Sequence, residues 1–395
     1  MTEIPTVHTA QTVQTAVVVP NAATVPEAIE KRRVLIKKLE KERNSCVITY
    51  FLGDRQGFPQ GEVPNLATVI ASDAIRPFYE HLEALEHKER IDLFLYSRGG
   101  DTNIPLRLVR LIREHCDFFS VIVPFRAYSA ATMICLGADE IVMGRMGELS
   151  PVDPTTVNVF FPMDPLNPAG RWPIGVEDVT AYFSLARDIA KLNTEESTQG
   201  VFKALTEKVN PIALGNVHRT YNLIRILVPK LLSLHMDTAK IKNKDKIDRI
   251  VEVLTKTLYT HSYPISRKEA RDTVDLNVME PPKAVEDSMW SLYKQYENDL
   301  RLLEFFSPAQ ILGTRTSAHF SEQTGVIESI LRTDSFVQSG DLIPPPTLQQ
   351  IQQILQVIPA QLLAQLIPQL VQLAHGLSVS PPTVKFTSQQ WEKVI

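Results

Sequence analysis

Three short stretches hold the residues best suited to chemistry: Ser97-Arg98-Gly99-Gly100, Tyr128-Ser129-Ala130-Ala131 and Ser150-Pro151-Val152-Asp153-Pro154. Ser129 sits among small side chains, which leave room for a substrate carbonyl beside its hydroxyl. Attack by that hydroxyl puts negative charge on the carbonyl oxygen, and backbone N–H groups at a sharp turn are suitable donors to such an oxyanion. Gly99 and Gly100 permit a sharp turn with unobstructed amides because neither carries a Cβ. The amide of Ala130, directly after the serine, is the second donor expected of a strand-turn-helix nucleophile. The reading is therefore acyl chemistry, with Ser129 as nucleophile and Gly99, Gly100 and Ala130 as oxyanion hole. Taken singly, each motif is also an ordinary turn or packing residue of an α/β domain. Their order, about 30 residues apart and followed by a third polar turn, favours the chemical reading.

These residues need a scaffold of strands that end where they begin. Ile91 to Tyr96 and Ser120 to Val123 are apolar runs of strand length, each leading into one of the motifs. Strands are expected over 46–51, 91–96, 119–123 and 140–143. Leu106, Val109, Leu111 and Ile112 predict a helix over 105–115, and Ala130 to Gly137 predicts an apolar helix whose positive end meets Ser129. Short apolar runs alternating with helices imply an α/β domain with a parallel sheet covered on both faces. A helix is expected over 26–43, with Pro26 in its first turn. Further helices are expected over 176–191, 195–209, 212–235 and 244–258, giving a mainly helical second half. Ser266 followed by Glu269 predicts a capped helix start, and the prolines of 155–172 predict a loop or flap beside the cleft, whose apolar content equally suits a subunit contact.

Ser97 to Gly100, Tyr128 to Thr132 and Gly137-Ala138-Asp139-Glu140-Ile141-Val142-Met143 resemble the Clp protease and signal peptide peptidase A superfamily, which has a crotonase-like fold. Within it, the chain is most similar to the serine dehydrogenase proteinase family. Weaker resemblance in Arg43 to Tyr50, Pro173 to Val179, Ala181 to Phe183, Pro211 to Val217 and Thr260 to Ser266 extends the likeness over roughly 27–335. The resemblance implies a Clp/crotonase-like serine protease domain over 25–335, a peptide or protein substrate and a homo-oligomer. Clp proteases carry their histidine in a turn after the serine; the matching turn here, 24 residues on, offers Asp153 and no histidine. A triad in the order Ser, Asp, His suits this departure, with His261 chosen because Thr260 to Ile265 resembles a family motif. His218 is the alternative base, and a Ser-Lys dyad, as in signal peptide peptidases, would recruit Lys191, Lys203 or Lys208. Asp153 is equally readable as a turn residue between two prolines, and His261 as a structural histidine.

Composition narrows the remaining classes. The chain has 395 residues, 44% of them hydrophobic, enough for a sizeable core. Its net charge of −4 argues against a dedicated nucleic-acid binder. Three scattered cysteines, Cys46, Cys116 and Cys135, suit neither a disulfide framework nor a CxxC metal site and point to a reducing cytoplasm. No signal peptide or membrane anchor is expected, and no GxGxxG fingerprint calls for a nicotinamide cofactor. Residues 1–24 are expected to be a flexible arm and 336–395 a proline-linked helical tail, its Gln- and Leu-rich stretch at 349–373 serving oligomerisation or partner docking, or equally packing as a simple appended segment. Two other functions compete with the peptidase. One is a non-catalytic scaffold of the same fold; the other is an acyl-CoA enzyme, which usually places acids rather than a serine at the reacting carbon.

Overall fold

The computed structural model describes residues 17–18, 25–152, 155–156, 160–163, 171, 174–257, 263–345 and 381–395. The first half of the chain runs through β1 (Val17–Val18), α1 (Val25–Arg43), β2 (Cys46–Leu52), α2 (Ile75–Leu85), β3 (Lys88–Tyr96), α3 (Ile104–Arg113) and β4 (Cys116–Val123). Then come β5 (Arg126–Ala127), α4 (Ala130–Leu136), β6 (Glu140–Met143) and β7 (Glu148–Leu149). Beyond these lie α5 (Val176–Ser184), α6 (Glu195–Lys208), α7 (Pro211–Leu232), α8 (Ile241–Glu252), β8 (Ile265–Ser266), α9 (Arg267–Asp272), β9 (Val278–Met279) and α10 (Lys283–Asp299). Three long strands follow: β10 (Ala318–Glu328), β11 (Thr333–Ile343) and β12 (Thr383–Lys393).

Strict alternation along the early strands explains why both sheet faces are covered. Ile48, Tyr50 and Leu52 of β2, Ile91, Leu93 and Leu95 of β3, and Phe119, Val121 and Val123 of β4 enter one core with α2, α3, α4, α7 and α8. The intervening Val47, Phe51, Phe94, Tyr96 and Ile122 enter a second core with Ile36 and Leu39 of α1 and Met289, Leu292 and Tyr296 of α10. Each such side chain, fully buried, stabilises the fold by roughly 1.5–3 kcal/mol. A one-residue slip would exchange the two sets, so the pattern also fixes the register.

The central sheet has nine strands in the order β9-β6-β4-β3-β2-β10-β11-β12, with β1 beside β10. From β9 to β2 the pairs are parallel. The pairs β2 with β10, β10 with β11 and β11 with β12 are antiparallel. A smaller sheet, β8-β7-β5, lies at the carboxyl ends of the parallel strands.

The four expected early strands and the helices between them are present. The helix expected over 176–191 is α5 followed by a π-helical turn at Leu185–Ile189, and the one expected over 244–258 begins earlier, at Ile241. Ser266 caps α9 as expected, its Oγ accepting from the Glu269 N–H at 3.3 Å. The tail differs from expectation. Residue 336 lies inside β11, and the chain beyond the proline run ends in a strand of the central sheet, where antiparallel pairing with β11 supplies the order that the sequence of β12 does not signal. Val17–Val18, within the expected arm, pairs with β10. Residues 349–373 and most of the expected 155–172 loop lie outside the described residues.

Candidate active site

β3 and β5 bring the glycine turn and the serine together. The Ser97 N–H donates to Arg126 O and the Tyr128 N–H to Ser97 O, both at 3.0 Å, so the two segments are stitched side by side just before each motif. Gly99 then passes over Ser129. Its φ is +111°, and a Cβ there would stand 2.8 Å from Ser129 Cβ and 3.3 Å from its Oγ. At Gly100, where φ is +152°, a Cβ would meet Ile70 O at 2.2 Å. Glycine is required at both positions by close approach as well as by backbone conformation.

Ile70 holds the turn from its far side. The Ile70 N–H donates to Gly99 O and the Asp101 N–H to Ile70 O, both at 2.8 Å. The Gly99 N–H is taken by Ser97 Oγ at 3.0 Å, whereas the Gly100 N–H lies between these bonds and belongs to none of them. Of the two expected donors in the turn, Gly100 is thus the one left for an incoming oxygen.

Ser129 occupies the N-cap of α4 with φ 53° and ψ −114°, a left-handed conformation that costs a non-glycine residue on the order of 1–3 kcal/mol. Its own N–H is held by Ser150 Oγ at 2.8 Å. Ser150 Oγ donates in turn to Pro151 O, and the Ser150 N–H donates to Thr132 Oγ1. Thr132 Oγ1 donates to Ala127 O at 2.7 Å, closing a small network around the corner. Ala130 begins α4, where an N–H has no carbonyl one turn behind it. Only 8% of Ser129 is exposed, and among the described residues no side chain hydrogen-bonds to its Oγ. Beside it, burial and then the hydrogen bond to Glu148 push the Tyr128 hydroxyl up to about 12, so it stays a neutral donor.

Asp153 and His261 lie outside the described residues. The described chain on either side of them converges: the Val152 N–H donates to Leu254 O at 3.1 Å, and Leu149 pairs with Ile265 across β7 and β8. His218 is exposed on α7, its Nε2 3.0 Å from Asn222 Nδ2. Lys191, Lys203 and Lys208 are exposed on α6 and the turn before it. Among the described residues no His, Cys, Asp and Glu side chains form a metal-binding group. Among those residues, too, no helix is long and apolar enough to cross a membrane.

The family of ClpP-like SDH-type serine proteinases matches residues 13–210, just over half of the chain. This protein belongs to that family. The matched stretch holds Gly99, Gly100, Ser129 and Asp153 and ends before His261. Two uncharacterized proteins of Methanocaldococcus jannaschii are similar to this ClpP-like chain. One is 26% identical over 277 residues, covering 69% of this chain and 82% of its own. The other is 22% identical over 268 residues, covering 68% and 78%. No solved structure matches.

A Ser-His-Asp constellation is present elsewhere in this ClpP-like protein, and sequence reasoning missed it. His81 Nδ1 lies 3.0 Å from Ser329 Oγ, and its Nε2 lies 3.0 Å from Asp334 Oδ2. Ser329 and His81 are wholly buried and Asp334 nearly so. The Ser329 hydroxyl also accepts from the Leu331 N–H, and Arg332 clamps Asp334. With no access for a substrate, these three residues serve to join α2 to the β10–β11 turn. Ser150 and Thr132 were quoted in sequence motifs, but nothing there signalled that they hold the backbone of Ser129.

Proposed function

We propose that this protein is a serine peptidase working through an acyl-enzyme at Ser129. The Ser129 hydroxyl attacks the carbonyl carbon of a peptide bond, passing its proton to His261, which Asp153 orients. The oxyanion accepts hydrogen bonds from the Gly100 and Ala130 amides. Collapse expels the amine, which takes the proton from His261, and water then hydrolyses the ester by the same base to release the acid and free Ser129. The observation that carries this reading is the strained Ser129 corner set directly against the glycine turn. Proton transfer to His261 is supported by chain reach. Asp153 follows Val152, and His261 lies four residues before Ile265, a span of at most about 14 Å from the strand paired with Leu149. The proposed setting is a reducing cytoplasm, in keeping with the unpaired Cys46, Cys116 and Cys135.

Labelling by a fluorophosphonate probe, run beside cleavage of an unstructured protein such as casein, tests the proposal. Wild type should label at a single site, Ser129→Ala should not label at all, and Asp153→Ala and His261→Ala should label at least 100-fold more slowly. Full-rate labelling without His261 would transfer the role of base to His218 or a lysine. Wild-type protein that neither labels nor cleaves would favour the scaffold reading.

A further inference from the structure

Among the described residues the central sheet ends at β12 with no strand on its outer side. Among the described residues β12 pairs with β11 alone, although it is 11 residues long, and its side chains are exposed or half-buried throughout. Alternate residues of an antiparallel strand direct their N–H and C=O groups to opposite neighbours. The Val394 N–H goes to Thr333 O, so those of Lys393, Trp391 and Gln389 face away from β11.

One irregularity sets what can pair there. Ser388 lies opposite Ser339 and Phe386 opposite Gly340, so Thr387 is an extra, bulged residue. Beyond the bulge the alternation shifts by one. Val384, Phe386, Gln389, Trp391 and Lys393 therefore share one face, and Lys385, Ser388, Gln390 and Glu392 share the other. Trp391 and Phe386 bear this out, packing on Phe336 and Phe320 of the neighbouring strands.

We propose that β12 pairs antiparallel with β12 of a second copy of this chain about a two-fold axis at Gln389. In that register Lys385 of each copy faces Glu392 of the other, Phe386 faces Trp391, Ser388 faces Gln390, and Gln389 faces itself. Every opposed pair lies on the same side of the sheet, as antiparallel pairing demands, and the opposite charges meet twice. The bulge makes this self-complementarity; without it Lys385 and Glu392 would stand on opposite faces. Within one chain these two side chains lie at opposite ends of the strand, too far apart to pair. The competing role for edge charges is to keep strands apart. The assignment is independent of the chemistry at Ser129.

Sedimentation analysis of the full chain tests it by charge exchange. Lys385→Glu and Glu392→Lys should each halve the mass seen for wild type. The double exchange should restore it, and so should an equal mixture of the two single variants, because each then supplies the charge the other lacks. Near-ultraviolet circular dichroism verifies that each variant is folded. The proposal is overturned by a wild type that sediments as a monomer, with the edge either guarded by its charges or covered by the chain's own 346–380. It is equally overturned by single variants that keep the wild-type mass, or by a mixture that stays apart.

Discussion

At Ser129 the backbone and the hydroxyl ask for different residues. A φ of 53° suits glycine, yet the proposed acyl chemistry needs a hydroxyl at this position directly beneath Gly99. Ser129→Gly should therefore raise the unfolding free energy by about 1 kcal/mol, the strain relieved outweighing the freedom glycine adds to the unfolded chain. Ser129→Ala keeps the strain and should leave stability unchanged to within about 0.5 kcal/mol. Both should lose fluorophosphonate labelling. Urea unfolding of the three proteins measures the difference, and equal stabilities for the two variants would show that the corner holds no strain. The sharp turn at Gly99 and Gly100 was legible in the sequence because close approach and backbone conformation restrict both positions to glycine. The commitment of the Gly99 N–H to Ser97, and of the Ser129 N–H to Ser150, was not. Such contacts depend on where strands stop, and many serines could supply the same hydroxyl.

The serine corner is only as fixed as α4, and α4 is gripped at both ends. Its first turn is held by Thr132 and Ser150; its last carbonyl, Leu136 O, lies 3.0 Å from His235 Nε2, just beyond α7. That nitrogen must carry hydrogen, since a carbonyl only accepts. Burial pulls the His235 pKa below its ordinary value, outweighing the pull of Leu136 O and Asp139 toward the charged form; Arg113 and Lys246 add to the lowering. The unfolded chain thus takes up the proton first. The contribution of the neutral ring is complete above about pH 6.5 and is lost as pH falls through the lowered folded value. Wild type should lose stability between pH 7.5 and 5.5 relative to His235→Gln, which keeps an N–H donor and does not titrate. Parallel urea titrations with the same pH slope would refute this. At this scale the apolar runs of β2, β3, β4 and β6 were readable because both of their faces are buried. The strands β10, β11 and β12 were not: β10 alternates buried with half-buried residues over its first half, and β12 has no buried stripe of its own. Their pairing comes from neighbouring strands, which the sequence of each strand alone does not announce.

The central sheet joins a parallel half that holds the candidate site to an antiparallel half whose last described strand is β12, and Arg32 sits at the junction. It is 2% exposed on α1. Its guanidinium donates to Glu328 of β10 at 2.7 and 3.3 Å and to Asp299 at the end of α10 at 2.6 Å. Glu328 also accepts from the hydroxyls of Tyr296 at 2.7 Å and Thr333 at 2.9 Å, and Tyr296 is 2.7 Å from Thr49 of β2. One buried cation thus couples both halves of the sheet to the two helices covering one face. Removing a single partner strands the remaining charges in a place without water, at a cost of about 3–5 kcal/mol. Arg32→Met should destabilise by that amount in urea unfolding. Adding Glu328→Gln should cost less than the two single losses combined, because the carboxylate stranded by the first change is then gone. A loss below about 1 kcal/mol for Arg32→Met, or strict additivity in the double variant, would mean that the halves are held by apolar packing between α1 and α10 rather than by this network.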